Sequence, residues 1–253
     1  MITKLRVQNY KALRDVTLDL TPIHALIGPN DSGKTSVLEA LSAVCRSADA
    51  PLSSAFRGSW QGRELVWNHA DSAVTITVSM SVSGCELSYA LACEFGERDR
   101  RVVASGEAIE TTDGRFSLPQ PGANISSLAR SPELETSYGT SSDDKKHLAL
   151  ALALCDELRS VQKYHFEPSH LALPVVLDSK RRFRMSQMGF GLAQSLDEIW
   201  GMDRQRFAEL EQRFCKLFPQ FTAINLVVKP AFRDAGGDES TDVSIFQQAD
   251  GKG

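Results

Sequence analysis

The sequence predicts an α/β protein in which an antiparallel β block is followed by a helical segment. Three observations lead to this fold class. A short apolar run ends at a glycine-rich loop, and helical spacing of apolar residues begins directly after that loop. Alternating apolar residues over 73–95 predict antiparallel strands, and apolar stripes at helical spacing over 143–217 predict helices.

Size and composition are those of an ordinary globular protein. The chain has 253 residues, of which 42% are hydrophobic and 24% charged, and its net charge is −4. This charge balance demands neither a nucleic-acid nor a membrane partner. There is no basic stub followed by an apolar run, and no apolar stretch of about 18 residues, so we expect neither a signal peptide nor a membrane span. Five cysteines without CxxC spacing favour free thiols and a cytoplasmic location.

The amino-terminal elements follow from local patterns. Residues 2–7 and 16–20 alternate as strands do, and 23–27, "IHALI", is a short apolar run typical of a buried strand. The stretch "KTSVLEALSAVCRS" has helical spacing and places a helix directly after the glycine-rich loop. Residues 46–70 contain many small residues and arginines, and we expect a loop with little order.

The remaining elements divide the chain into four parts. The segments 73–82 and 85–95 form a hairpin around Ser83-Gly84, and "RRVVASGEAIE" continues the meander. Helices are expected at 142–161, 189–199 and 203–217, and two strands, "AINLVVKP" and "DVSIFQQA", follow. The predicted parts are a lobe with the β block (1–117), a flexible connection (118–142), a helical segment (143–220) and a β-hairpin (221–253).

The glycine-rich loop carries the chemistry. Gly28, Gly33, Lys34 and Thr35 fit the phosphate-binding pattern GxxxxGK[S/T]. Small residues let backbone N–H groups converge on phosphate oxygens, and the start of the following helix adds partial positive charge. The lysine reaches the outer phosphates, the Thr35 hydroxyl ligates Mg²⁺, and Ser36 approaches the inner phosphate. The sequence therefore predicts a P-loop NTPase that binds ATP and Mg²⁺.

The residues around this loop resemble one group of ATPases. Two strands and the corner Asn9-Tyr10-Lys11 precede the loop, and "VTLDL" and "IGPNDSGKTSVLEAL" match in detail. This pattern resembles the amino-terminal lobe of ABC-type ATPase heads of the SMC, RecF and OLD (overcoming lysogenization defect) group. Fainter similarity in "KYHFEPSHLALP" and "GFGLAQSLDEI" extends the resemblance along the chain. Asp31 departs from it, because the group most often has a small residue there.

The resemblance implies roles for individual residues. Lys34 would act on the transferred phosphate, and the loop residues would wrap the phosphates: Asn30, Asp31, Ser32, Gly33, Lys34, Thr35 and Ser36. Asn9, Tyr10 and Lys11 would lie near the base or ribose, although Tyr10 is equally suited to packing at a strand end. Gln61 would be a Q-loop glutamine that reaches Mg²⁺, the alternative being an ordinary exposed loop residue.

The residues that would hydrolyse ATP are harder to find. Such heads need an apolar strand that ends in Asp-Glu, and "LALALALCDEL" ends in Asp156-Glu157. Its alanines and leucines, its lack of β-branched residues and its capped start favour a helix instead. "RMSQMGFGLAQSL" lacks the serine-glycine pair of a signature motif. We therefore expect the amino-terminal part of a longer ATPase, an engineered or natural fragment that binds ATP with negligible turnover.

Three functional readings stay open at this level. The resemblance implies a head that forms a homodimer around two ATP molecules and works on DNA in repair or phage defence, with a nuclease domain or subunit as a further partner. The alternatives are a self-contained small-molecule kinase and a module that binds nucleotide without hydrolysis. The basic run "SKRRFR" (179–184) suits either a solvated loop or a nucleic-acid backbone, and Pro168 argues against a helical metal pair of His165 and His170.

Overall fold

The computed structural model describes residues 1–58, 60–69, 72–82, 84–97, 101–118, 124–130, 139, 141–176, 185–230 and 241–246. The chain divides into two compact units, Met1–Gln162 and Lys163–Gly253. The basic run 179–184 and Ser83 of the predicted turn lie outside the described residues, as does most of the predicted connection 118–142.

The described strands of the first unit are Ile2–Tyr10 (β1), Leu13–Asp19 (β2), Val74–Val82 (β3), Cys85–Phe95 (β4), Val102–Thr111 (β5) and Gly114–Ser117 (β6). They form an antiparallel six-stranded sheet with the order β2-β1-β3-β4-β5-β6. The long central strands alternate buried and half-exposed residues, as expected for a sheet with one face on a core. The predicted antiparallel block is confirmed, and it continues into the amino-terminal hairpin because β1 pairs with both β2 and β3.

Helices cover one face of this sheet. Those among the described residues of the first unit are Lys34–Arg46 (α1), Leu52–Ala55 (α2) and Ser142–Ser160 (α3). Helix α1 follows the glycine-rich loop, as predicted, and helix α3 contacts both α1 and β3. The described part of this unit also has short 3₁₀ turns at Gly62–Leu65, Trp67–His69 and Leu128–Arg130.

Helix α3 belongs to the first unit and not to a separate helical segment. Its buried residues are Ala151, Leu154, Cys155 and Leu158, a stripe at helical spacing that joins the core of the sheet. Ser141 caps the helix by accepting a hydrogen bond from the backbone N–H of Asp144. The division between the two units therefore falls about twenty residues after the one expected at 143.

Two sequence-based expectations in the first unit are wrong. Residues 23–27 form no strand, and Ile23 and Ile27 are 91% and 94% exposed. The apolar run has the composition of a buried strand, but no described strand pairs with it. Residues 46–70 are more ordered than expected, because they contain α2 and two 3₁₀ turns and bury Leu52, Phe56 and Leu65.

The second unit combines a small sheet with helices. Its described elements are Pro168–Leu171 (α4), Val175–Val176 (β7), Leu192–Met202 (α5), Arg204–Leu217 (α6), Asn225–Pro230 (β8) and Thr241–Phe246 (β9). Strand β9 pairs antiparallel with both β7 and β8, so the two final strands pair as predicted. Helices α5 and α6 contact each other at the places where apolar stripes predicted a helical pair. Within the described part of the chain, no helix has the length and apolarity that crossing a bilayer requires.

Candidate phosphate-binding site

The glycine-rich loop lies at the start of α1, and its backbone takes a shape that only some residues tolerate. Gly33 has φ +91° and Asp31 has φ +62°, both in the left-handed region. A Cβ on Gly33 would lie 3.0 Å from the Leu13 Cδ2 atom. The left-handed turn therefore favours glycine at position 33, where a Cβ would also crowd the Leu13 side chain, and an acidic residue at 31 is among the few that accept this conformation.

Lys34 folds back over the loop that precedes it. Its ammonium donates hydrogen bonds to the carbonyl oxygens of Gly28 at 2.9 Å and Pro29 at 2.5 Å, and to the Ser32 hydroxyl oxygen at 3.4 Å. The predicted loop residues Gly28, Ser32 and Lys34 are thus brought together. The Lys34 ammonium therefore lies against the backbone of the loop that precedes α1.

The first turn of α1 offers hydrogen-bond donors to the same space. Gly33 is the N-cap and has no side chain to cap the helix, and no acidic residue lies in the first turn. The first N–H groups of a helix have no carbonyl partner within the helix, so they are available to an anion. The hydroxyls of Thr35 and Ser36 lie in this turn as well. This local arrangement is complementary to phosphate oxygens.

These groups line one open cavity of about 780 Å³. This volume is within the range of small-molecule sites. Most of the predicted loop residues contribute to it, together with residues of the β1–β2 corner, of α1 and of the loop after α2. The lining residues are Lys11, Ala12, Asn30, Asp31, Gly33, Lys34, Thr35, Ser36, Glu39 and Trp60.

Only one residue of the Asn9-Tyr10-Lys11 corner lines this cavity. The Asn9 amide donates to the Ala73 carbonyl at 3.2 Å, away from the cavity lining. Tyr10 is 2% exposed, and the centroids of its ring and the Phe56 ring are 6.2 Å apart. It therefore packs at the strand end, which was the alternative prediction. Burial, with the negative charge of Glu39 nearby, raises the pKa of the Tyr10 hydroxyl.

Lys11 lies at the cavity and forms a local ion pair there. Its Nζ atom lies 2.5 Å from Glu39 Oε2, and its backbone N–H donates to the Leu65 carbonyl at 2.8 Å. The same Nζ atom is 5.7 Å from the centroid of the Trp60 ring. Sequence reasoning overlooked Glu39 and Trp60, and the one signal for Trp60 was a large aromatic residue in a loop of small and charged residues.

Gln61 is not brought to the phosphate loop. It lines a different cavity of about 330 Å³, together with Arg57, Arg101 and Asn124 among others. Its backbone N–H donates to Glu64 Oε2 at 3.3 Å and so opens the 3₁₀ turn at Gly62–Leu65. The structure therefore does not join Gln61 to Thr35 in one metal site.

The Asp156-Glu157 pair lies on helix α3, as the sequence reasoning expected. Both side chains are exposed, whereas the neighbouring Cys155 and Leu158 point into the core. These two carboxylates do not end a buried strand, so they do not form a Walker B motif.

The chain is similar to parts of known proteins. Over 44 residues, 17% of this chain, the sequence is 43% identical to an OLD nuclease of Thermus scotoductus (strain ATCC 700910 / SA-01). That match spans 8% of the relative's length. A chain from a structural study of ATP-driven dimerization and DNA-stimulated activation of SMC ATPases aligns with 60% of this chain and 98% of its own, at 15% identity and a TM-score of 0.32.

A family model matches most of the chain. The model of the AAA ATPase domain family covers residues 1–182, which include the phosphate loop, the antiparallel sheet and helix α3. The resemblance to ATPases that the loop and its preceding strands carry is thereby confirmed. The chain belongs to the AAA ATPase domain family.

Proposed function

We propose that this chain binds Mg²⁺-ATP as the amino-terminal lobe of an ABC-type ATPase head. The observation that carries the proposal is the single cavity in which the phosphate loop, Lys34 and the hydroxyls of Thr35 and Ser36 meet the start of α1. When phosphate enters, the Lys34 ammonium exchanges the carbonyls of Gly28 and Pro29 for phosphate oxygens. In this proposal the Thr35 hydroxyl would ligate Mg²⁺.

Substitution of Lys34 tests this proposal directly. Lys34→Ala is expected to abolish detectable binding of Mg²⁺-ATP in titration calorimetry, because the variant loses the cation that pairs with the outer phosphates. Lys145→Ala, on the exposed surface of α3, is a matched control and should bind ATP like the wild type. Unchanged ATP binding by Lys34→Ala would refute the assignment.

The cellular role follows from the resemblance to the SMC, RecF and OLD group. We propose that complete heads dimerise around two ATP molecules and act on DNA in repair or phage defence. The lobe that would carry Walker B is proposed to pair with residues 23–27, where Ile23 and Ile27 are exposed. A nuclease domain or subunit is the effector that the OLD-like sequence match suggests.

Dimerisation and DNA dependence are measured on the complete protein. Sedimentation velocity should show a dimer with Mg²⁺-ATP and a monomer without it, and Lys34→Ala should stay monomeric under both conditions. Phosphate release that rises on addition of DNA would support the DNA-directed role. Transfer of phosphate to a small-molecule acceptor, unaffected by DNA, would instead favour the kinase alternative.

A further inference from the structure

Trp60 places a large aromatic surface in the phosphate cavity. Its side chain is 52% exposed and lines the same cavity as Asn30, Lys34 and Thr35. Large aromatic side chains contribute much of their binding energy when they are covered, so an exposed indole that lines a cavity is available for contact with a ligand there. The cavity thus has a phosphate-binding part and an aromatic part.

The Lys11–Glu39 pair lies beside the aromatic part of the cavity. The Lys11 ammonium is 2.5 Å from the Glu39 carboxylate and 5.7 Å from the centre of the Trp60 ring. A cation over an aromatic face is attracted to it, which favours one position of the indole. Because Glu39 neutralises this ammonium, the region around Trp60 offers no net positive charge to a phosphate group. A flat, weakly charged group fits there better than a second anion.

We propose that Trp60 is the stacking platform for the base of the bound nucleoside triphosphate. The inference rests on the proposed function, since it places the triphosphate at Lys34 and extends the ligand along the same cavity. Every nucleobase has a π-face, and stacking on an aromatic side chain contributes substantially to nucleotide affinity. The corner residue Tyr10, which the sequence suggested for this part of the ligand, is buried and cannot take the role.

Affinities for two ligands separate the base from the phosphates. Titration calorimetry compares Mg²⁺-ATP with Mg²⁺-tripolyphosphate, which has the phosphates and lacks the base and ribose. Trp60→Ala is expected to weaken ATP binding about five- to hundredfold and to leave tripolyphosphate binding unchanged. Trp60→Phe should recover part of the ATP affinity. The matched control is Trp200→Ala in the second unit, because Trp200 is also exposed, at 45%. The centroid of its ring lies 4.8 Å from the Arg204 Cζ atom.

Fluorescence gives a second readout that does not require truncation of the platform. The chain has three tryptophans, so a Trp67→Phe/Trp200→Phe variant reports Trp60 alone. ATP should quench its emission, and tripolyphosphate should not. The role of Trp60 would be overturned if Trp60→Ala bound ATP as tightly as the wild type, or if it weakened the binding of both ligands equally. Tryptophan emission that does not change when ATP is added would overturn it as well. Failure of the wild type to bind either ligand would overturn the proposed function, and the platform with it.

Discussion

Replacement of Glu107 by glutamine is expected to remove a pH dependence from the stability of the first unit. Glu107 lies on β5 with its side chain in the core, where it accepts a hydrogen bond from the Tyr89 hydroxyl at 3.2 Å and from the Ser127 N–H at 2.8 Å. Burial raises the pKa of this carboxyl from 4.5 to about 7, against the opposing effect of the two hydrogen bonds.

The magnitude follows from linkage. The raised pKa means that the folded state holds its proton up to about pH 7, whereas the unfolded chain releases it near pH 4.5. The stabilising contribution is therefore complete below pH 4.5 and is lost as the pH rises through 7. At 1.36 kcal/mol per pH unit, the difference between 4.5 and 7 corresponds to about 3 kcal/mol of unfolding free energy.

The assay is urea unfolding at pH values from 4 to 8, followed by circular dichroism. The difference in unfolding free energy between wild type and Glu107→Gln should change by about 3 kcal/mol across this range, in favour of the variant at high pH. Tyr89→Phe is the control, because it keeps the carboxyl and removes one bond that lowers its pKa, so the slope should persist to higher pH. Parallel curves for wild type and Glu107→Gln would refute the reasoning.

Two further predictions concern the nucleotide site. Asp31→Asn retains a side chain that accepts φ +62° and removes a negative charge from the cavity, so ATP affinity measured by calorimetry should rise about two- to fivefold. An unchanged affinity at low salt would show that the carboxylate points away from the phosphates. The purified 253-residue chain should release negligible phosphate from ATP, because the Asp156-Glu157 pair lies exposed on α3. Substantial release in a coupled phosphate assay, lost in Lys34→Ala, would contradict this.

Features that depend on local sequence were predictable. The antiparallel strands alternate in burial along their length, and the stripe from Ala151 to Leu158 has the spacing of a helix. The phosphate loop was recognisable because the spacing of its glycines and its lysine is a pattern within ten residues. For the same reason, the helical state of "LALALALCDEL" followed from propensity and from the cap at its start.

Features that depend on distant partners were not predictable. The order within 46–70 comes from contacts with remote residues, such as the bond from the Leu52 N–H to the Asn124 carbonyl at 2.9 Å and the bridge between Tyr10 and Val66. Trp60 gains its place at the cavity from Lys11, which is 49 residues away in sequence. The sequence pattern within one segment predicts neither the contacts of 46–70 with remote residues nor the contact of Trp60 with Lys11.

At the segment 23–27, both the local sequence pattern and contacts with distant residues bear on the geometry of the phosphate loop. The carboxyl-terminal side of the phosphate loop is fixed, because α1 buries Val37, Ala40 and Val44 in the core. On its amino-terminal side, Leu26 packs partly against the core while Ile23 and Ile27 remain exposed. The apolar sequence is that of a strand that is paired on its edges, and pairing would fix the second side of the loop.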